Sequence, residues 1–421
     1  MPSSGRPGFW KSFNPRFYGW RMLPAAWLIY GLGAVPFYSW GFYLPEMLEE
    51  LGLGRGTGGL AFGVWTFCGG VTAPLIGICL TRFGPRPVFT AGFLVTSVAY
   101  YLTSRSQDRW DVLLYFGLFA GLTHAFSTVL PMQTLAANWF LRYRARAMAL
   151  LITAAGVIGP FVPIFCAAFL NWGYTWRDGW ALVAGLCAAL GIFSFLTLRN
   201  TPESMGQLRD GARSLTELQA GAGDAETAEE WTAGQAVRTR QFVLMVLCGL
   251  GYAVPWGVLT VHARFHIQDL GFDRTTAGWL IFIMISCSTL GRLCGGLADL
   301  IRPPRLLGTA LALEGTGVAL FLFAGDLWTI RVALVLLGLG FGMAYISQAA
   351  TFAQFFGRRA FATTTGVRFA IGAPFGAAVP WITGWVFDTH GSYAAPFLAI
   401  ATVTLAGSAV AFFLRPPRKN A

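Results

Sequence analysis

The sequence predicts an all-α membrane protein, with twelve transmembrane helices in two six-helix bundles and both termini on the cytoplasmic side. Three observations carry this expectation. The chain of 421 residues is 55% hydrophobic and only 12% charged, and its mean hydropathy of +0.57 lies above the range of soluble domains. Apolar runs of about 20 residues, the length that crosses a ~30 Å hydrocarbon core, recur with short breaks at which aromatic residues gather. The basic residues fall in alternate breaks.

The expected spans are 19–44, 58–80, 87–104, 111–137, 146–170 and 179–198, followed by 241–263, 276–298, 306–324, 330–353, 361–386 and 393–414. Barrel strands would alternate polar and apolar residues in segments about half as long, so helices are the reading that satisfies every backbone group in lipid. The first run follows Arg6, Lys11 and Arg16 but is too long for a cleaved signal, and it reads as a first spanning helix.

The formal net charge of +11 invites a nucleic-acid reading, which the distribution of the charge argues against. With the N-terminus inside, 21 of the 30 lysines and arginines fall on the cytoplasmic side. They include Arg82 and Arg86, the trio Arg142, Arg144 and Arg146, Arg302 and Arg305, Arg358 and Arg359, and the tail from Arg415 to Lys419. This is the positive-inside asymmetry, so the expected partner is the lipid bilayer and not nucleic acid. All seven cysteines fall inside expected helices and read as small apolar packing residues, with no disulfides expected.

Residues 199–240 form the one long polar stretch, read as a partly disordered cytoplasmic linker between a bundle at 1–198 and another at 241–421. The halves resemble each other. "LGLGRGTGG" at Leu51 to Gly59 matches "LGFDRTTAG" at Leu270 to Gly278, 219 positions on, and Pro36 and Pro255 share that offset. A second pair, "NWFLRYRARA" from Asn138 and "AQFFGRRAFA" from Ala353, sits between the fourth and fifth helices of each half. Two repeats of six helices imply a central path with its site near mid-membrane and access by rocking.

Charge inside a span is costly and usually faces a cavity or a partner. Arg292 and Arg368 lie seven and nine residues from the span ends marked by Asp299 and Arg359, which puts both about 10 to 14 Å deep at 1.5 Å per residue. They read as anion anchors, against the alternative of arginines that snorkel to the interface. Glu314, in "ALALEGTGV", is the carboxylate well inside a span. It is expected either to serve a neighbouring helix or to neutralise an arginine or carry a proton. His124 and Tyr345 follow corresponding glycines, Gly121 and Gly342, at a common offset of 221, and both are candidates for hydrogen bonding to substrate. His124 is also a proton-coupling candidate, because an imidazole titrates near neutral pH. Gln133, Asn138 and Gln348 are weaker candidates, since amides in membrane helices often tie helices together. The glycines of "GLGFG" from Gly338 read as close-packing positions.

No phosphate-binding loop, zinc-protease motif or nucleophile elbow is present, so neither an enzyme nor a cofactor is expected. His262 and His266 near Asp269 could bind a metal at the outer end of the seventh helix, but they read as ordinary exposed loop histidines, and no metal is assigned.

"GICLTRFGPRP" at Gly77 to Pro87 and "GGLADLIRPPR" at Gly295 to Arg305 resemble the loop signature of the major facilitator superfamily. That resemblance implies a gating role for Arg82, Arg86, Asp299, Arg302 and Arg305, although Thr81 stands where the first copy's acid belongs. "FYGWRM" at Phe17 to Met22, "NWFLRYRARAMALLITAAG" at Asn138 to Gly156 and "RLCGGLAD" at Arg292 to Asp299 are similar to the monocarboxylate transporters, including their bacterial oxalate:formate branch. The resemblance implies that Arg292 anchors a substrate carboxylate, and a planar guanidinium suits one because two parallel N–H donors meet two oxygens. The animal proton-coupled members carry an aspartate where this chain has Ser288 and a lysine where it has Phe37, so their coupling apparatus does not transfer. The expectation is a proton-coupled transporter of a small carboxylate such as lactate or pyruvate in a bacterial inner membrane. A dicarboxylate or oxalate-like exchanger is the nearest alternative; a drug:proton antiporter and a nutrient-sensing receptor stand behind it.

Overall fold

The computed structural model describes residues 17–141, 143–212, 231–295 and 301–417, without the side chains of 144, 145, 233 and 358–363. Among the described residues, eleven helices are long and apolar enough to cross a membrane. They are α1 (Tyr18–Leu51), α2 (Arg55–Phe83), α4 (Arg109–Trp139), α5 (Arg146–Asn171), α6 (Trp176–Thr197), α7 (Arg240–Asp269), α8 (Arg274–Cys294), α9 (Pro303–Leu322), α10 (Leu327–Gly357), α11 (Thr364–His390) and α12 (Ala394–Phe413). The remaining long helix, α3 (Pro85–Ser104), has 20 residues but carries Thr90, Thr96, Ser97, Tyr100, Tyr101, Thr103 and Ser104, and is correspondingly less apolar. Several helices overrun their expected spans by a few residues, because polar ends continue the backbone ladder beyond the apolar stretch. The chain is a multi-pass membrane protein.

Local chemistry explains where helices begin. Asp273 caps α8 by accepting from the Thr276 and Thr275 amides, and these bonds, Thr276 foremost, hold its carboxyl below the usual range. Asp326 does the same for α10, with Thr329 and Trp328 as donors. α10 passes into α11 without a loop, and the turn is made by Gly357 at φ 72°, a conformation that glycine adopts without steric cost.

Two helices are broken inside the membrane. α1 is interrupted at Ala34, two residues before Pro36, whereas Pro255 sits in an uninterrupted α7. α4 carries a π-helical stretch over Val112–Ala120, a tight turn at Ala125–Ser127 and a non-helical Thr128. Irregular backbone at membrane depth is tolerated where protein buries it or where it lines a cavity.

The first-half core stacks Trp40 on Phe116 at 3.6 Å, with Tyr100 and Trp180 beside them. In the second half, α12 is tied to α9 by Ser408 donating to the Gly308 carbonyl and to α7 by Thr404 donating to the Gly251 carbonyl, each at 2.7 to 2.8 Å. The halves meet along α2 with α11 and along α5 with α8, where Thr289 donates to the Gly156 carbonyl at 2.9 Å. Cross-half ionic contacts among the described residues gather where α1 meets α2, α7 meets α8 and α11 meets α12. Arg55 forms a two-pronged contact with Asp269 at 2.5 and 2.7 Å, and the amides of Arg55 and Gly56 donate to Asp388. Arg264 pairs in the same way with Glu46.

The described ends of the linker pack against the bundles. Residues 199–212 dock on the first half: Asn200 accepts from the Arg86 amide, Gln207 from the Tyr18 amide and Asp210 from the Leu141 amide. Trp231 packs edge-on against Phe356 of α10. The disorder expected between these segments lies outside the described residues.

Candidate functional site

Arg292 occupies the last turn of α8, and two glycines set its surroundings. A Cβ at Gly291 would fall on the Leu339 carbonyl and one at Gly342 on the Ser288 carbonyl, so α8 and α10 touch backbone to backbone. This approach brings the Arg292 guanidinium over the rings of Tyr345 and Phe341, at 5.5 and 5.9 Å. The side chain is half-buried. Its Nε is buried and has no hydrogen-bond partner among the described residues. The guanidinium is in electrostatic contact with the phenols of Tyr30 and Tyr38 on α1. Gly342→Val is expected to force α8 and α10 apart and cost about 1–3 kcal/mol or more of stability, read as a lowered melting temperature in detergent; an unchanged melting temperature would contradict the close packing.

Arg368, in α11, is buried. Its Nη1 donates to the Tyr252 hydroxyl at 3.0 Å and to Gln348 Oε1 at 2.6 Å, and Gln348 Nε2 donates in turn to the Met245 carbonyl. Gly249 leaves room for the guanidinium, since a Cβ there would stand 2.9 Å from Nη1. The Tyr252 ring lies 5.8 Å from Phe341 and 6.5 Å from Tyr345. One aromatic group therefore separates the two arginines, with Tyr345, 37% exposed, at its open side. Neither arginine forms an ion pair with an acid among the described residues.

Glu314 is fully buried in α9, and neither of its oxygens has a hydrogen-bond partner among the described residues. Gly340 brings α10 against its backbone, and the carboxyl is in electrostatic contact with Tyr252. Among the described residues Glu314 forms no ion pair with an arginine.

His124 sits on the irregular part of α4, with Nδ1 3.3 Å from the Tyr100 hydroxyl and its ring 5.0 Å from Trp65. It lines a cavity of about 330 Å³ with Tyr30, Phe37, Trp65, Gly69 and Thr128. Both helix breaks, at Ala34 and Thr128, open onto this space. Tyr30 joins the two regions, since it lines the cavity and is in electrostatic contact with Arg292 and Tyr345. The chain thus groups Arg292, Arg368 and Tyr345, sets His124 on the wall beyond Tyr30, and leaves Glu314 behind α10.

The expected gate residues lie elsewhere. Arg86 donates to the Phe195 carbonyl at 2.9 Å and stacks on that ring, which ties α3 to α6 within one half. Arg82 lies over Phe83, Arg302 precedes the first turn of α9 and Arg305 is exposed in that turn. Asp299 lies outside the described residues. His262 and His266 are not loop histidines. They are buried in α7, where His262 meets the Tyr393 hydroxyl and the Pro380 carbonyl and His266 meets the Phe321 carbonyl.

Tyr252 and Tyr30 escaped sequence reasoning. Tyr252 precedes "AVP" at Ala253 to Pro255 just as Gly33 precedes "AVP" at Ala34 to Pro36, and that repeat was the available signal. Arg55 and Arg274 stood in the recognised repeat, but their cross-half partners were not legible from one strand of sequence.

The profile of the Major Facilitator Superfamily matches residues 26–373 and again residues 242–421. The chain belongs to the Major Facilitator Superfamily. Monocarboxylate transporter 13 of Rattus norvegicus is 28% identical over 343 residues, covering 80% of this chain and 75% of the relative. Monocarboxylate transporter 11 of Homo sapiens is 26% identical over 420 residues, covering 93% and 82%. Among solved structures, a bacterial homolog of the human lysosomal transporter Spinster, in an inward-facing and unoccupied conformation, superposes with a TM-score of 0.73 at 15% identity. That match covers 94% of this chain and 97% of the other, and it carries the fold alone. This member of the superfamily is a membrane-embedded transporter whose relatives include monocarboxylate transporters, and those relatives are not enzymes.

Proposed function

We propose that this transporter carries a small organic carboxylate by alternating access, with Arg292 as the anchor and Arg368 as a second source of attraction. The observation that carries the reading is Arg292 itself. It is a half-buried guanidinium at a helix interface, with a buried N–H left unpartnered and no acid paired to it among the described residues. Such a group is costly to keep unless an anion completes it. The names of the relatives favour the same substrate class. Arg368 is already hydrogen-bonded to two neutral groups, so it contributes field more than contact, and Tyr345 offers a hydroxyl beside the anchor.

The reading includes twelve spanning helices, with α3 as the third, divided at 199–240 into bundles of six. The positive-inside charge pattern supports cytoplasmic termini and an inner-membrane setting, which makes the ionic end the outer one and the structure inward-facing. Uptake into proteoliposomes of the purified chain tests the reading. Saturable flux of a carboxylate, competed by other carboxylates and not by neutral analogues, is the expected result.

Proton symport is the preferred coupling, with Glu314 and His124 as carriers. One proton per carboxylate across one pH unit is worth about 1.4 kcal/mol, a tenfold gradient. Glu314→Gln is expected to abolish that pH-driven accumulation while counterflow persists; accumulation equal to that of the parent chain would remove Glu314 from the coupling. A dianion exchanger is the second reading, favoured because Glu314 forms no ion pair with either arginine. Flux that requires counter-substrate inside the vesicle distinguishes it from symport.

A further inference from the structure

We infer that the substrate is a carboxylate with a bulky apolar body, of the arylalkanoate class, and that the cavity beyond Tyr30 receives that body. The inference rests on the carboxylate reading above. It departs from the two- and three-carbon acids expected from family resemblance.

Four observations converge on it. The cavity has a volume of about 330 Å³, within the ~300–1,000 Å³ range of small-molecule sites. A three-carbon acid held at Arg292 would leave most of it unfilled. The wall is made of Phe37 and Trp65 together with glycine, alanine and valine, and its polar groups are few: Tyr30, Thr66, His124 and Thr128. A second carboxylate placed there would find no lysine or arginine among the described lining residues, whereas an aromatic ring would lie against Trp65 and Phe37.

Tyr30 links anchor and cavity: it lines the cavity, and its phenol lies within electrostatic range of Arg292. On this reading a ligand anchored at Arg292 extends past this residue into the cavity. Finally, the backbone is irregular where it borders the space, at Ala34 of α1 and from the π-helical stretch to Thr128 of α4. Such stretches in a span are costly and are found at functional sites. Gly69 adds to the argument: a Cβ there would meet no atom closer than the Gly121 carbonyl at 3.8 Å, so its absence is not required by packing. The space it leaves belongs to the cavity.

Binding of 3-phenylpropionate, lactate and oxalate to the purified full-length chain, followed by thermal shift and by quenching of Trp fluorescence, tests the inference. We expect 3-phenylpropionate to bind at least tenfold more tightly than lactate. Gly69→Leu should lower the ratio of the two affinities tenfold or more by filling the cavity from α2, and Thr66→Leu, one turn earlier on the same wall, should act in the same direction should the first variant fold poorly. Lactate or oxalate binding more tightly than 3-phenylpropionate would overturn the inference while leaving the carboxylate reading intact. Tight 3-phenylpropionate binding with a ratio indifferent to both fillers would overturn the assignment to this cavity. Binding of none of the three acids would instead count against the carboxylate reading itself.

Discussion

Arg292→Lys is expected to weaken carboxylate binding by about 10–100-fold, and Arg292→Ala to abolish it. The lysine variant keeps the charge and removes the planar fork, so it separates geometry from field. A hydrogen bond to a charged group contributes roughly 1.5–3 kcal/mol, and each 1.4 kcal/mol is a factor of ten in affinity. Losing one of two parallel bonds therefore accounts for the lysine effect. Removing the charge as well leaves Arg368, whose Nη1 is already committed to Tyr252 and Gln348. The measurement is substrate affinity by thermal shift alongside initial uptake rate in proteoliposomes. Arg292 is half-buried at the end of a helix, so either variant should retain the parent melting temperature to within a few degrees. An unchanged affinity for Arg292→Lys would show that the site does not read carboxylate geometry. Equal losses in Arg292→Lys and Arg368→Lys would mean that both arginines hold the anion, as the dianion reading requires.

Fold class was open to inspection because lipid imposes it. A backbone that must satisfy its own hydrogen bonds over ~30 Å leaves a continuous apolar signal, and eleven of the expected spans coincide with apolar helices of spanning length among the described residues. α3 shows the limit of that signal. Its hydroxyls bond within the protein, Thr90 with Ser194 and Thr103 with the Ala99 carbonyl, so a helix of spanning length is less apolar than its neighbours. Arg292, Arg368, Tyr345 and Gln348 were visible as polar residues in apolar runs, and the chain does bring them around one aromatic group. What was not visible was the distribution of partners. Whether Glu314 reaches an arginine depends on the rotation of α9, which Gly340 sets through a contact 26 residues away in sequence. Tyr30 reads as one more aromatic within the first span until α1 is placed against α8. The expectation that His262 and His266 sit in an exposed loop missed for a related reason: the apolar run ends at 263, but α7 continues to Asp269 because its last turns are buried against α11 and α9.

The second large effect is expected at the ionic end of the molecule, from Glu46→Gln. Arg264 has no exposed side-chain surface, and both of its terminal nitrogens donate to Glu46 across the interface of α1 and α7. Phe42 covers the guanidinium at 4.3 Å. Deleting one partner of a buried pair costs about 3–5 kcal/mol, because the other charge is left uncompensated. That cost exists only while the halves are closed at this end, since their separation would let Arg264 hydrate. The lost energy should therefore appear as a population shift of about 100-fold or more toward the conformer open at this end. The residue to report it is Thr260. It borders the seam, where a Cβ at Gly41 would fall on its carbonyl, and Thr260→Cys in a cysteine-free background is expected to be shielded from a membrane-impermeant maleimide. With Glu46→Gln added, the labelling rate should rise at least tenfold. Arg55→Ala breaks a more exposed pair, with 20% and 33% of the two side chains accessible, so it should raise labelling less. Replacing both partners, Glu46→Met with Arg264→Met, removes the uncompensated charge and should return labelling toward the starting value. Labelling that does not respond to Glu46→Gln would mean that glycine-mediated contact, as between Gly59 and the Pro380 carbonyl or Gly63 and the Ala377 carbonyl, holds this end shut without help from charge. Labelling that rises and is not restored by the double replacement would mean that Glu46 acts through packing and not through its bond to Arg264.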